Sequence, residues 1–301
     1  MLNKYIPLPN FTPASADQPN YVGAGTATFN EDLTNTRWDY YVNEKVHSFG
    51  RYSFADYSLI SPGVYGSLAG GVGFQPGSTF AGESKTRNQS VAAGFDYTVS
   101  DKWLTDFRFG FFRYRVNVDP GQSQTTPAKD NSIPGLNNDS FTGGMPFFNI
   151  NGVGALAFGY ALGVNACNCP LRQNERQLQF VNNWTNLNGN HTFKFGADIR
   201  RAANLRIPSD RHRSGELQFD AARTQGPSGG GTGLASFLLG EVSRFERYVS
   251  TITDAEERQN RWFFYGQDTW KVNKKLTLNY GVRWEIYRPQ TVTGAGKGGF
   301  I

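Results

Sequence analysis

Apolar and polar residues alternate with a period of two along several segments of the chain. The clearest segments are His191–Ile199 and Leu276–Trp284, in which every second residue is apolar and the residues between are small, charged or polar. Because successive side chains of a β-strand point to opposite faces, each segment would have one apolar face and one polar face. Charges and glycines on the polar face favour a water-filled lumen over the surface of a soluble sandwich. The pattern therefore predicts strands of a membrane β-barrel.

Strands of this kind recur in pairs joined by short polar turns, which is typical of β-hairpins. Nine strands are predicted, at residues 35–43, 46–58, 86–99, 103–117, 173–186, 190–206, 241–252, 258–271 and 275–288. In the first hairpin the apolar alternation slips once, between Phe49 and Tyr52, where a β-bulge would restore it. The alternation further predicts that Phe193 and Leu278 share the outward face, with the adjacent Lys194 and Asn279 on the inward one.

The connections between these strands are of two kinds. Short connections are predicted at 43–46, 99–103, 186–190 and 271–275, and long ones at 59–85, 118–172 and 207–240. Outer-membrane barrels have short turns on one side and long loops outside the cell. We therefore predict an all-β fold, an antiparallel up-and-down meander over residues 34–301 that forms part of a transmembrane β-barrel and follows an irregular segment at 1–33. A soluble sandwich with the same rings in its core is the alternative.

Two further features bear on membrane placement. Tyr97, Trp103, Trp184 and Trp270 all lie within about four residues of a tight turn, where barrels carry a belt of interfacial aromatic side chains. Gly233–Gly240 is the one markedly apolar stretch in the long connections. We expect it to form a short helix or strand on the barrel rim.

Composition narrows the possible partners. Charged residues make up 18% and aromatic residues 15% of the chain, and the net charge is +5. No apolar run reaches the roughly 20 residues of a transmembrane helix, which barrel strands of about 9–11 residues do not need. The densest basic segment, residues 200–213, lacks the interleaved aromatic residues that stack on bases. We expect outer-membrane lipid, and not nucleic acid, as a partner.

The sequence contains none of the common nucleophile, zinc-site or dinucleotide motifs. The three histidines, His47, His191 and His212, have no cysteine or acidic residue at ligand spacing. We therefore expect no enzymatic activity, no metal and no cofactor. Cys167 and Cys169 are separated by one residue, and they would form either a strained local disulfide or a loop tip with two thiols.

Several segments carry a resemblance to a known family. Phe264–Arg288 contains Gln-Asp-Thr-Trp followed by Leu-Thr-Leu-Asn-Tyr-Gly-Val-Arg-Trp-Glu, and it resembles a hairpin of TonB-dependent outer-membrane receptors. Phe49–Asp56, Asn190–Arg201 and Leu234–Gly240 are similar to segments of the Oar-like branch, whose members often carry a carboxypeptidase-regulatory-like domain. Pro7–Asn10 resembles the stretch that follows the plug domain in that branch.

The resemblance implies a barrel of the TonB-dependent transporter type, which has about 22 strands. Such a receptor imports a scarce ligand, for example a siderophore, oligosaccharide or peptide, across the bacterial outer membrane, and the TonB complex supplies energy through the plug region. We expect this chain to be the N-terminal part of the barrel without its plug, with open edges that prevent a pore from forming alone. The alternative is a surface-structural or adhesin-like barrel that binds partners through its long loops.

Polar side chains on the inward face are the candidates for contact with an unknown small ligand. They are Arg108, Lys194, Asp198, Arg200, Asn279, Arg283 and Glu285. The competing interpretation is that these charges pair with one another or face the plug, as lumen charges of such barrels mostly do.

Overall fold

The computed structural model describes residues 1–15, 18–71, 73–74, 81–119, 122–152, 155–159, 171–207, 213–247 and 256–293. Cys167, Cys169 and His212 lie outside the described residues, so the prediction about the two cysteines stays a prediction. Within the described ranges, no helix combines the length and the apolar character that crossing a membrane requires.

Strands account for most of the regular structure. The helices are all short: α1 (Leu2–Tyr5), α2 (Gly66–Ala69), α3 (Pro127–Asp130) and α4 (Gly233–Leu239). The strands are β1 (Thr28–Asn43), β2 (Val46–Ser61), β3 (Gly82–Ser100), β4 (Trp103–Asp119), β5 (Phe147–Ile150), β6 (Leu156–Phe158), β7 (Leu171–Asn188), β8 (His191–Ile207), β9 (Glu216–Phe219), β10 (Arg244–Glu246), β11 (Glu256–Asn273), β12 (Leu276–Tyr287) and β13 (Thr291–Thr293).

Eight long strands and one short strand form the larger sheet. Its order is β1-β2-β3-β4-β7-β8-β11-β12, with β13 paired to the beginning of β11. All neighbouring strands are antiparallel and follow the order of the chain. The predicted all-β up-and-down meander is therefore confirmed. Within the described residues, β1 and β12 are the two edges and do not pair with each other.

Two-residue turns join the long strands at one end of this sheet, at residues 44–45, 101–102, 189–190 and 274–275. Their sequences favour a sharp reversal of the chain. Asn43 Oδ1 accepts hydrogen bonds from the backbone N–H groups of Lys45 and Val46. Gly189 has a φ of 58°, which glycine adopts without steric cost. The long connections all lie at the opposite end, as predicted.

Two of the nine predicted strands differ from those observed, and β5, β6, β9 and β13 are absent from the prediction. β1 begins at Thr28, inside the segment predicted as irregular, because its polar first half pairs with β2 from Thr28 opposite Ile60 onward. In the described part of 241–252 no strand joins the larger sheet. Arg244–Glu246 instead pairs with β9 in a separate sheet, since three residues are too few to span the height of a barrel.

The long connections are not structureless, because they build a second sheet of four short strands in the order β10-β9-β5-β6. In its core Phe148 and Phe158 stack with their ring centroids 4.5 Å apart, and Phe237 of α4 meets both rings edge-on. Tyr5 of α1 joins the same buried cluster. The largest fully buried side chains of the described residues all belong to this region.

The apolar stretch Gly233–Gly240 forms α4, which confirms the expected short helix or strand. Thr232 caps the first turn, because its Oγ1 accepts a hydrogen bond from the Ala235 N–H at 3.0 Å. Gly240 ends the helix in the left-handed conformation, with a φ of 76°. The helix packs against β5 and β9, so it belongs to the second sheet and not to the rim of the larger one.

Candidate functional site: the polar face of the larger sheet

The strand register divides the side chains of the larger sheet between two faces, because residues directly opposite each other in antiparallel strands share a face. Across β8, β11 and β12 the pairs place Phe193 and Leu278 on one face, and Lys194 and Asn279 on the other, as predicted. We name the first the apolar face and the second the polar face.

The aromatic residues predicted for an interfacial belt all lie on the apolar face, at the end with the short turns. They are Tyr97, Trp103, Trp184 and Trp270. The rings of Trp103 and Trp184 meet in a T-shaped contact with centroids 6.0 Å apart. No described element covers this face, and Phe195 and Val282 are among its exposed side chains.

The apolar face has a limited height. On β4 it extends from Trp103 to Phe111, which is about 27 Å at roughly 3.4 Å per residue. A membrane-spanning strand needs about 9–11 residues, so this stretch is long enough to cross the hydrocarbon of a bilayer. Beyond Phe111 the same face carries Arg113 and Arg115. The long strands therefore continue past the apolar band, toward the long connections.

The predicted β-bulge between Phe49 and Tyr52 is wrong. β2 pairs with both of its neighbours without a shift through this stretch, so Phe49 lies on the polar face. Its ring sits between two guanidinium groups, with Arg37 Cζ 4.8 Å and Arg108 Cζ 5.1 Å from the ring centroid. Cation–π contacts of this kind hold an aromatic ring among charges. The break in the alternation thus marks a polar-face contact and not an irregular strand.

Both arginines beside that ring are also held by carboxylates. Arg37 donates hydrogen bonds of 2.7 and 2.8 Å to Asp39, and Arg108 pairs with Asp96. His47 lies between the two acids, with Nε2 3.0 Å from Asp39 Oδ1 and Nδ1 3.5 Å from Asp96 Oδ2. These five residues and the ring form the first polar cluster.

The second polar cluster repeats the arrangement on β8, β11 and β12. The ring of Phe263, only 5% exposed, lies between Arg200 and Arg283, whose Cζ atoms are 5.3 and 5.4 Å from its centroid. Arg200 pairs with Asp198 at 2.7 Å, and Arg283 pairs with Glu285 at 2.5 Å. Each cluster therefore joins one aromatic ring to two ion pairs, which fixes the long arginine side chains against the sheet.

Hydrogen bonds continue across the polar face between the two clusters. Gly196 lies under the ring of Tyr265, since a Cβ at this glycine would be 2.8 Å from Tyr265 Cε1. The ring crosses β8 at this glycine, and its hydroxyl donates to Asn183 Oδ1 at 2.9 Å. Asn183 Nδ2 donates in turn to Asp106 at 3.0 Å. The missing side chain at residue 196 is thus what lets Tyr265 reach β7.

The family to which the chain belongs indicates the surroundings of these two faces. Residues 1–300 match the model of the family described as outer membrane beta barrel domain. The chain belongs to this family. No match was found among curated proteins. An outer-membrane β-barrel domain lies in the bacterial outer membrane, so the apolar face meets lipid and the polar face lines the lumen.

All the residues predicted to contact a ligand lie on the polar face of the barrel domain. They are Arg108, Lys194, Asp198, Arg200, Asn279, Arg283 and Glu285. All but two of them belong to the ion pairs of the two polar clusters. Lys194 and Asn279 make no side-chain hydrogen bond or ion pair with any residue that the structure describes. They line a hollow together with Gln267, Gly281 and Arg283 of the same face, and the intervening residues 266, 268, 280 and 282 also contribute to its lining.

Of the two rings at the centres of the polar clusters, the alternation of apolar residues marks one and hides the other. Phe49 is detectable, because it is out of phase with the apolar residues that follow it. Phe263 is hidden, because Trp262 and Phe264 flank it and an unbroken aromatic run does not show which ring points inward. The contact between His47 and Asp96 is missed for another reason, since the two residues are 49 positions apart along the chain. Among the described residues, no group of three or more His, Cys, Asp or Glu side chains is placed to hold a metal ion.

An acidic residue lies on the apolar face, where the pattern predicts none. Asp268 is 5% exposed, and its Oδ2 lies 2.6 Å from His191 Nδ1 and accepts a hydrogen bond of 2.8 Å from the Tyr280 hydroxyl. The ring of Trp270 stacks on His191. A carboxylate that faces lipid is costly. The donors from the two neighbouring strands reduce that cost at Oδ2, whereas the buried Oδ1 makes no hydrogen bond with a described residue.

Proposed function

We propose that this barrel domain belongs to a TonB-dependent receptor, which imports a scarce ligand through its lumen. The observation that carries the proposal is the hairpin Phe264–Arg288, whose sequence resembles that of such receptors. In the structure it forms most of the β11–β12 hairpin and contributes Asn279 and Arg283 to the hollow on the polar face. The segment that carries the resemblance therefore also lines the candidate ligand contact.

The width of the larger sheet supports a large barrel. Eight long strands pair side by side, yet β1 and β12 remain unpaired with each other within the described residues. A closed barrel of about eight strands has an interior that side chains fill, whereas a barrel of about 22 strands holds a plug. A wide lumen would leave the polar face open to a plug and to a ligand.

The hollow around Lys194 is the favoured point of ligand contact. The arginines and acids of the two polar clusters already satisfy one another, so a ligand would have to compete with their partners. Lys194 and Asn279 offer an ammonium donor and an amide that no described residue occupies. A ligand with carboxylate or hydroxyl oxygens, as siderophores, oligosaccharides and peptides have, suits this pair.

The test uses a strain that lacks the gene and is complemented with the intact protein that contains this chain. We expect uptake of labelled candidates from the three ligand classes to require TonB. Replacing Lys194 and Asn279 by alanine should weaken uptake roughly tenfold, the effect of losing a charged hydrogen bond. The control, Phe193→Ala with Leu278→Ala, changes the adjacent lipid-facing side chains. Uptake without TonB, or an equal loss in both double variants, would contradict the proposal.

A surface barrel that binds partners through its loops is the second candidate. It is favoured by one observation, the compact core that the long connections build around Phe148 and Phe158. Sequence upstream of this chain in the intact gene distinguishes the two functions. A plug domain with a TonB box supports import, and an intact gene without them supports the surface role.

A further inference from the structure

Arginines gather on the apolar face immediately beyond its apolar band. Phe111 and Leu178 form the last apolar pair of β4 and β7 on this face, and the next pair along the two strands is Arg113 opposite Arg176. On the neighbouring strand pair, Arg115 lies directly opposite Arg87. We name Arg87, Arg113, Arg115 and Arg176 the arginine patch.

Carboxylates compensate only part of this patch. Like charges directly opposite each other destabilise a sheet. Asp56 pairs with Arg87 at 2.5 Å, and Glu256 pairs with Arg176 at 3.0 Å. The Arg113 Nε–H donates instead to the neutral Asn174 Oδ1 at 3.2 Å. Arg115 is exposed and makes no ion pair with any residue that the structure describes.

Two flanking residues extend the excess of positive charge. Arg172 on β7 and Arg201 on β8 share the face of the arginine patch, and both are exposed. Neither forms an ion pair within the described part of the chain. The patch and its flanks therefore present several uncompensated guanidinium groups along three adjacent strands, β4, β7 and β8.

The height of the patch places it at a lipid headgroup. Arg113 is two residues beyond Phe111, which is about 7 Å along the strand, on the side of the long connections. With the apolar band in the hydrocarbon, these arginines lie at the headgroup level of the external leaflet. Their stems can lie along the apolar surface while the guanidinium groups stay in the polar layer.

We infer that the arginine patch binds the phosphate groups of a phosphorylated lipid in the external leaflet. Guanidinium binds phosphate oxygens through paired, charge-assisted hydrogen bonds, and phosphate between opposed arginines removes their repulsion. The apolar band below the patch, including Phe111 and Leu178, gives the acyl chains of the same molecule a contact surface. A free anion would bind the guanidinium groups but would make no contact with the apolar band. The combination of both contacts therefore favours a phosphorylated lipid over a free anion.

The experiment uses the intact protein that contains this chain, purified from outer membranes in mild detergent. Binding of fluorescent diphosphorylated lipid A from mixed micelles is measured for the native protein and for Arg113→Gln/Arg115→Gln. The matched control, Lys274→Gln/Lys275→Gln, removes the same charge in the β11–β12 turn at the opposite end of the sheet. We expect affinity to fall roughly tenfold in the first variant and to stay unchanged in the control. Arg113→Lys/Arg115→Lys should restore part of the affinity.

The shift in electrophoretic mobility between heated and unheated samples shows whether each variant is folded. The single variant Arg115→Gln breaks no ion pair or hydrogen bond with a described residue, so it gives the same readout if the double variant misfolds. Unchanged lipid A affinity in a folded variant would overturn the inference. So would equal binding of a lipid without phosphate, or displacement of lipid A by excess inorganic phosphate, which would indicate a site for free anions.

Discussion

The larger sheet and the second sheet hold their apolar side chains in different surroundings. In the second sheet, Phe148 and Phe158 are buried by neighbouring protein, so their removal from water stabilises the fold in the usual way. In the larger sheet, Trp38, Phe195 and Val282 are exposed on one face, and lipid covers them in the membrane. An apolar side chain that is exposed on the larger sheet is therefore a lipid contact, whereas one exposed on the second sheet faces water. A substitution to a smaller or charged residue should accordingly change stability differently in the two regions.

The largest expected effect comes from emptying the core of the second sheet. Phe158→Ala should destabilise that sheet by about 3–5 kcal/mol, because Phe158 is fully buried and stacks on Phe148. Limited proteolysis should then cut the long connections while the larger sheet stays protected. Leu239→Ala, at an exposed position of α4, is the control and should leave the cleavage pattern unchanged. Joint loss of both sheets would show that they fold as one unit.

A charge on the lipid-facing side gives the next largest effect. Val282→Arg should cost about 2–4 kcal/mol, since Val282 is 72% exposed on the apolar face and its replacement would face lipid. Asn279→Arg on the same strand points into the lumen and should cost much less. Urea unfolding in lipid vesicles measures both variants. Similar losses would contradict the assignment of the two faces.

The smallest effect concerns a polar cluster. Phe263→Leu keeps an apolar side chain but removes the ring between Arg200 and Arg283, and it should cost about 1 kcal/mol. Phe264→Leu alters the adjacent ring, which faces lipid, and serves as the comparison. Urea unfolding in lipid vesicles gives the loss of stability for both variants. If both substitutions cost the same, the ring would contribute by its bulk and not by its contacts with the guanidinium groups.

Much of the larger sheet can be predicted from the sequence, because alternation is a local property of each strand. Prediction from alternation fails at Thr28–Leu33. These residues do not alternate clearly, and they form a strand because they pair with β2. It also fails for the second sheet. β5 and β9 are four residues long, too short for a periodic signal, and they pair although they are far apart in the chain.

Prediction of the candidate site has the same limit. The face of Lys194 or Arg283 follows from its position in a strand, whereas its partner depends on which strands become neighbours. His47 shows this clearly, since its two acids come from β1 and β3. Asp268 shows the same limit on the apolar face, because its hydrogen-bond partners His191 and Tyr280 lie on the two neighbouring strands.

The parallel pairing of β5 with β9 has a consequence for the barrel wall. β5 precedes the β7–β8 hairpin in the chain and β9 follows it, so their pairing ties together the two long connections that flank this hairpin. The tight turn at residues 189–190 lies at the opposite end of the hairpin. We expect the pairing to restrain the hairpin against displacement along the barrel axis, because β7 and β8 could shift only together with the second sheet.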